Sequence, residues 1–384
     1  MFKKGFGFPI TEWVTEENLY RFIKIYGFVR TLIKVAGRKR PLISFGWFLS
    51  ILHPFKNGKK VGIIGAGHFP YSTIAIFLKT STNCNISWCS DIDYEAAKTM
   101  AVAFGIKNYT VNCEKYLSGT DLVYIASNHA THSQYAVRAL KSGCDVYIEK
   151  PISTTWNQLK ELVEIEKITS NRIFVGYNRP FSPSVLVVKK NIENHNLPFT
   201  LQCFITGRLI PEDHWYRNPN EGTRVCGNLC HWIDIAIHML SWSGKQIDYV
   251  DIAISYSNTS YPDDNFSVVM TTPRGDLISI NFSSRSEPFE GVNESINFQQ
   301  GNLIAKINDH RHTQIWVGEN YINRKFWPKD VGHKKAILQP FNENTTNFRS
   351  WNEIVLSTEL MLVVTDMVVN LENSRGYRFS VINQ

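Results

Sequence analysis

No run of this sequence reaches the roughly 18 uninterrupted apolar residues that a membrane-spanning helix requires. The most apolar stretch near the start, LISFGWFLSILHPF, is too short to span a bilayer. Cysteine is scarce and irregular. Cys84, Cys89, Cys113, Cys144, Cys203, Cys226 and Cys230 make an odd set, scattered through mostly apolar runs. That pattern excludes a disulfide framework and leads us to expect reduced thiols in a cytoplasm. The opening MFKKGFGFPITEW has no apolar core ahead of a small-residue cleavage site, so it does not read as a secretory signal. Internal repeats and low-complexity tracts are also missing. Most of the chain lacks excess charge as well. The net charge is +7, and residues 1–57 carry ten basic side chains against three acidic ones, so everything after them is formally neutral. A general affinity of the body for nucleic acid is thereby excluded; any polyanion or anionic surface would meet the first 57 residues.

What is present is ample apolar material: 43% hydrophobic residues, with 10 Trp, 16 Tyr and 23 Phe in 384 residues. That length suits two domains and an appendage. We expect a basic amphipathic extension over 1–57, a Rossmann dinucleotide-binding domain over 58–180, and an α+β domain over 181–384. In the extension, Thr15 can cap a helix whose apolar stripe runs Leu19, Phe22, Ile23, Tyr26, Ile33 among basic residues. Two readings stay open for it: docking on an anionic membrane face or a partner protein, or packing on its own body.

From Lys60 onward short apolar strands (VGIIG, ISWCS, LVYIAS, DVYIE, RIFVGY) alternate with helical segments (TIAIFLK, YEAAKTMAVAFG, HSQYAVRALKSG, WNQLKELVEIEKI). This alternation predicts a doubly wound parallel sheet. Beyond about residue 180 come a helix over 231–242 and a series of alternating runs from DYVDIAISYS to TQIWVG, with turns at TPRGD and QQGN. They predict a large, mainly antiparallel open sheet, one face of which is solvated or used to build a homo-oligomer. The final helix, NEIVLSTELMLVVTDMVVNLEN, is expected to pack back on the Rossmann domain.

Gly65-Ala66-Gly67 follows the first strand and opens the first helix, where glycine lets the backbone approach a pyrophosphate. The third position of the G-x-G-x-x-G pattern is Pro70, and a bare G-x-G is also simply a tight strand–helix turn. Asp91, 24 positions beyond Gly67 at the end of the second strand, is placed to accept the adenosine ribose hydroxyls and to repel a 2′-phosphate, favouring NAD(H). The plainer role for Asp91 is a cap for the helix that begins near Tyr94.

In order and at Rossmann spacing, GAGHF, SDIDYEAA, IASNHATH, GCDVYIEKP and VGYNRPFSP make the chain resemble the glucose–fructose oxidoreductase, inositol dehydrogenase and rhizopine-catabolism group of proteins (Gfo/Idh/MocA) over about 61–370. The resemblance implies that Lys150, in Glu149-Lys150-Pro151, binds the reacting hydroxyl and moves its proton. It implies cofactor contacts for His68, Phe69, Ser127, Asn128, His132 and Glu149 beside Gly65, Gly67 and Asp91, and substrate contacts for Asn178 and Arg179. Arginine suits carboxylate or phosphate recognition.

A second chemical element lies in CGNLCHWIDIAIHML, where Gly227, His231, Asp234 and His238 share one helical face. The resemblance aligns His231 with the catalytic histidine, Asn228 and Asp234 with substrate neighbours, and Gly227 with a position where relatives often carry Asp. The alternative register pairs Asp234 with His238. Cys226, Cys230 and His231 fit neither zinc nor haem spacing, so no metal is expected. Together these point to NAD(H)-dependent hydride transfer at a ring hydroxyl or ketone of a sugar or nucleotide-sugar in surface-glycan synthesis. The rivals are an imine reductase or an NAD-using glycosidase of the same fold, and a non-catalytic NAD-binding scaffold.

Overall fold

The computed structural model describes residues 16–42, 44, 58–245, 247–286, 291–342 and 349–380. The chain divides into two compact units, Met1–Gly176 with His333–Arg349, and Tyr177–Gly332 with Ser350–Gln384.

The first unit holds a six-stranded parallel sheet in the order β3-β2-β1-β4-β5-β6. Its strands are β1 (Lys60–Ile64), β2 (Asn85–Ser90), β3 (Asn108–Thr110), β4 (Leu122–Ile125), β5 (Asp145–Ile148) and β6 (Ile173–Val175). The order reverses between β1 and β4, which opens a crevice at the carboxyl ends of the strands. Helices cover both faces, so the strands are apolar throughout rather than alternating: β4 is buried at all four positions. The core joins Val61, Ile63, Tyr124 and Tyr147 of the sheet to Tyr71, Ile74 and Phe104 of the helical layer. Tyr71 and Phe104 meet edge to face at 5.1 Å.

Residues 16–42 belong to this unit. The single amphipathic helix expected there is two: α1 (Glu16–Tyr26) and α2 (Phe28–Lys39), broken at Gly27, whose φ of 76° a helix cannot continue through. Thr15, the expected cap, lies outside the described residues. Phe22, Ile25 and Tyr26 are buried, and Ile33 and Ala36 pack against the Rossmann core. Gly37 lies so close to the first βα unit that a Cβ there would come within 2.9 Å of the Ser72 Cβ. Packing on its own body is therefore what this stretch does, while Tyr20, Phe28, Val29 and Leu32 stay exposed.

The expected boundaries shift in two places. The chain leaves the first unit at Gly176, and His333–Arg349 returns to it. Two buried hydrogen bonds hold that return: Tyr124 Oη donates to the Ile337 carbonyl at 2.6 Å, and Gln339 Nε2 donates to the Val175 carbonyl at 3.1 Å.

The second unit holds a nine-stranded sheet in the order β14-β13-β12-β11-β7-β10-β9-β8-β15. The strands are β7 (Phe199–Gly207), β8 (Tyr249–Tyr256), β9 (Asn265–Thr271), β10 (Leu277–Ser283), β11 (Val292–Gln300), β12 (Leu303–Asn308), β13 (His312–Val317), β14 (Asn320–Lys325) and β15 (Ser374–Arg378). It is antiparallel except where β7 runs parallel to β10. The expected meander thus lacked its central strand, FTLQCFITG, whose strict alternation buries every second residue. α7 (Cys230–Ser241) and α8 (Trp351–Val369) pack on each other within this unit. Within the second unit, α7 is thus the main helical partner of the final helix. Its sequence is apolar almost all round because it is buried almost all round.

Candidate active site

In the first unit the predicted cofactor residues gather at the carboxyl ends of β1, β2, β4 and β5. Gly65 has φ of 93°, and a Cβ on it would stand 2.3 Å from the Ala126 carbonyl oxygen, so only glycine can make this turn. Gly67 has nothing within 4 Å of where a Cβ would be, which leaves its backbone open to close approach by a ligand. Pro70, in the third motif position, begins a wide π-type turn (Pro70–Ile74) that runs into α3 (Ala75–Ser81), where its missing N–H costs no helical bond.

Asp91 is not a helix cap. Asp93 caps α4 (Tyr94–Phe104), accepting from the Glu95 and Ala96 amides. Asp91 instead ties the glycine loop to β2: its Oδ2 accepts from Ala66 N at 2.6 Å and its Oδ1 from Asp93 N at 2.9 Å. Each oxygen keeps a further lone pair for a ribose hydroxyl. A glycine cradle, an open backbone face and a carboxylate at the end of β2 fit an NAD dinucleotide.

Lys150 follows β5, part-buried, joined to Pro151 through a cis peptide. Glu149 before it is buried, accepts from Tyr147 Oη at 3.0 Å, and lies against Gly176, where a Cβ would meet its carboxylate at 2.6 Å. Burial pushes the Glu149 carboxyl up to about 7, opposed by the Lys150 charge. Ser127 pairs with the Thr131 hydroxyl at 2.8 Å, and Asn128 is exposed.

Two histidines depart from the cofactor contact expected of them. The His132 ring is 1% exposed, with Nδ1 2.8 Å from the Pro151 carbonyl and Nε2 3.0 Å from the Ser127 carbonyl. It therefore braces the β4 loop against the Lys150-Pro151 turn, starting α5 (His132–Lys141). Burial lowers it to about 4. The His68 ring turns toward α2, hydrogen-bonded to the Lys34 backbone, and burial with the nearby Arg38 and Lys34 charges lowers it to about 4. Phe69 stacks at a tilt on His333, ring centres 5.5 Å apart.

In the second unit, Arg179, expected at the substrate, lies in a buried ion pair. It is 6% exposed and gives Nε to Glu294 Oε2 at 2.8 Å and Nη2 to Oε1 at 3.0 Å, with its guanidinium 4.3 Å from the Trp232 ring centre. Trp232 Nε1 donates to the same carboxylate at 2.7 Å, and His310 Nε2 lies 3.5 Å from it. Although burial pushes Glu294 up, the Arg179 and His310 charges hold it well below the ordinary carboxylate range. Arg179 thus has its Nε and Nη2 committed to a buried ion pair within the second unit. Asp234 is fully buried on α7 and accepts from Ser357 Oγ of α8 at 3.0 Å, so it joins two helices. Asn178 is 1% exposed, with Nδ2 donating to the Val331 carbonyl at 2.6 Å; it too is built into the fold.

His231 opens α7 part-buried, its ring edge-on to Tyr177 at 6.3 Å. Asn228 is part-buried in the π-type turn before it, Val225–Leu229. His238 lies farther along, its Nδ1 2.7 Å from Glu353 Oε1 on α8. Gly227 has a local explanation that the sequence could not supply: a Cβ there would meet the Tyr216 ring at 2.6 Å. Tyr216, absent from the sequence-based candidates, therefore occupies the space of a side chain at 227. Its only sequence signal is the aromatic triplet His214-Trp215-Tyr216. All seven cysteines are buried and none is joined in a disulfide, and no group of three His, Cys, Asp or Glu suited to a metal occurs among the described residues.

Residues 59–177 match the GFO_IDH_MocA model, described as an oxidoreductase family with an NAD-binding Rossmann fold. The inositol 2-dehydrogenase of Ralstonia nicotianae is 26% identical over 243 residues, which are 58% of this chain and 66% of that protein. The inositol 2-dehydrogenase of Klebsiella pneumoniae is 24% identical over 193 residues, 47% of this chain and 54% of that one. The chain thus spans between about half and two thirds of the length of these curated relatives. A levoglucosan dehydrogenase in complex with NADH superposes with a TM-score of 0.68 at 15% identity, covering 83% of this chain and 98% of that structure. Likeness at such identity is one of fold.

Proposed function

We propose, from the premise that residues 59–177 are an NAD-binding domain of the Gfo/Idh/MocA oxidoreductase family, that the protein moves a hydride between NAD(H) and a ring carbon bearing a hydroxyl or ketone on a cyclic polyol or sugar. The observation that carries this is in the first unit. Lys150 follows β5 by two residues, and β5 is separated by β4 alone from the strand that feeds the Gly65-Ala66-Gly67 turn. The nicotinamide, when bound, supplies the hydride acceptor or donor. In oxidation Lys150 takes the hydroxyl proton as the carbon's hydrogen leaves with its electron pair; in reduction it returns that proton. His231 is the second acid–base group, Asn228 its polar neighbour. Glu149, His132 and Ser127 fix the backbone on either side of Lys150. Asp91 accepts ribose hydroxyls.

Support for a sugar-like substrate comes from relatives named as inositol 2-dehydrogenases and from a fold neighbour named as a levoglucosan dehydrogenase. A nucleotide-linked sugar of surface-glycan synthesis is the finer reading; it rests on the run HWYRNPNEGTRVCGNLCHW alone. Self-association through the nine-stranded sheet is supported by the exposed Phe204, Ile304 and Tyr321. Seven buried cysteines in no disulfide support a cytoplasmic protein, and the exposed Phe28, Val29 and Leu32 beside basic residues are where membrane or partner contact would fall.

The test is a panel of cyclic polyols, pyranoses and nucleotide-linked sugars with NAD+, read by NADH fluorescence. Turnover of one class supports the reading. Tightly bound NAD with glycoside cleavage and no net NADH would replace it by the glycosidase, and failure to bind NAD(H) at all would overturn it.

A further inference from the structure

The carboxyl end of α2 reaches the dinucleotide loop, and what it brings there is a guanidinium. Arg40 follows α2 in the left-handed conformation, φ 47° and ψ 51°, and its amide is bonded back to the Ala36 carbonyl. This sharp reversal turns the side chain across the surface of the first βα unit. Arg40 Nη2 donates to the carbonyl of Ala66, the middle residue of the Gly65-Ala66-Gly67 turn. The guanidinium lies 4.5 Å from the ring centre of the buried Tyr71, which fixes its plane. The Ala66 amide is the group held by Asp91, so Arg40 and the ribose-reading carboxylate grip two faces of one peptide-bearing residue. Arg40 Nη1 is buried and has no hydrogen-bond partner among the described residues. A buried guanidinium N–H without an acceptor is costly, and it calls for a group that completes it.

Two further observations concern charge. Burial, helped by the charges of Arg38, Lys34 and Arg40, lowers His68 to about 4, and Gly37 of α2 lies against Ser72, Tyr71 and His68, so the cationic end of the extension lies beside the first βα turn. Asp91 and Asp93 act on Arg40 from the other side. A planar fork of donors beside a glycine turn matches a phosphate oxygen pair better than any other part of a dinucleotide.

We propose that Arg40 is a phosphate-binding residue of the dinucleotide site, carried to it by the N-terminal extension. The proposal rests on the NAD(H)-binding reading above and goes beyond it: the extension is a part of the cofactor site, and the phosphate served is either the pyrophosphate or a 2′-phosphate. In the second case Arg40 offsets the repulsion exerted by Asp91, and NADP(H) is bound as well as NAD(H).

The experiment is fluorescence titration of NADH and of NADPH into the full-length protein and into Arg40→Gln and Arg40→Lys, with the melting temperature of each protein measured alone. Wild type binding neither dinucleotide would sink the NAD(H) reading itself and the inference with it. With wild-type binding established, Arg40→Gln is expected to weaken affinity at least tenfold. Equal loss for both dinucleotides assigns the pyrophosphate; a loss several-fold greater for NADPH assigns the 2′-phosphate. Arg40→Lys, which keeps the charge and loses the fork, should fall between the two. The dependence of affinity on salt should also flatten in Arg40→Gln, because one phosphate contact has gone. Unchanged affinity for both dinucleotides in folded Arg40→Gln overturns the inference while the NAD(H) reading stands. If Arg40→Gln does not fold, Arg40→Lys decides: at least threefold weaker binding supports the inference, and wild-type affinity overturns it.

Discussion

Arg179 and Glu294, 115 positions apart in sequence, form a two-pronged ion pair buried at 6% and 2% exposure, with bonds of 2.8 and 3.0 Å. The pair holds the segment after β6 to the central part of the nine-stranded sheet, with Trp232 of α7 donating to the same carboxylate. Removing one partner leaves the other charge uncompensated in a dry site. Arg179→Leu should therefore cost about 3–5 kcal/mol in stability, read as a lowered urea midpoint. The double variant Arg179→Leu/Glu294→Leu should recover much of that loss. A substrate-binding role for Arg179 would show instead as a raised KM with an unchanged midpoint.

Lys150→Met should abolish turnover and leave NADH affinity within a few-fold of wild type, since methionine keeps the apolar stem and cannot exchange a proton. His231→Ala should lower kcat by about 10²–10⁴-fold, the range for a positioned acid–base group. Full activity of Lys150→Met, measured with whichever substrate the panel identifies, removes the main support for a dehydrogenase.

His238→Ala should act on stability more than on rate. Its Nδ1 lies 2.7 Å from Glu353 Oε1, so the change breaks a contact between α7 and α8. A melting temperature lowered with kcat nearly intact is the expected outcome. Dead catalysis in a folded His238→Ala protein with His231→Ala still active would move the histidine assignment one register along α7.

Glu149 makes stability depend on pH. Its folded value is raised from 4.5 to about 7 by burial, so the folded state binds a proton more tightly than the unfolded chain. The stabilisation is fully present below pH 4.5 and is lost as pH rises through 7; it amounts to about 3 kcal/mol at most. Glu149→Gln imitates the protonated form. Between pH 5 and pH 8 the urea midpoint of the wild-type apoprotein should fall relative to that of the variant. Parallel pH profiles would show that Glu149 is ionised throughout.

Gly227→Asp should be destabilising by about 1–3 kcal/mol, because a Cβ at 227 would lie 2.6 Å from the Tyr216 ring. Adding Tyr216→Ala should relieve part of the loss. If Gly227→Asp alone leaves the melting temperature unchanged, Tyr216 moves aside freely and does not explain the glycine.

The sequence by itself determined the Rossmann unit, because its signals are local. A strand such as β4 that is apolar at every position, a glycine at the strand–helix turn whose φ is 93°, and an acid at the end of the second strand are each readable within a few residues. The alternation of β8 to β13 was legible for the same reason. Which partners the polar residues find inside the protein was not legible in this way. Arg179, Asp234 and His132 look like site residues in the sequence, yet their partners Glu294, Ser357 and the Ser127 and Pro151 carbonyls are set by folding. The same holds for β7, whose place beside β10 and β11 depends on strands that follow it by many residues. It holds again for Arg40, which meets Ala66 across 26 positions because Gly27 breaks one helix and a left-handed residue ends the next. Periodicity records which face of an element is apolar. It carries no record of what that face will touch, and hydrogen-bond partners in this protein are chosen by contacts between elements distant in the chain.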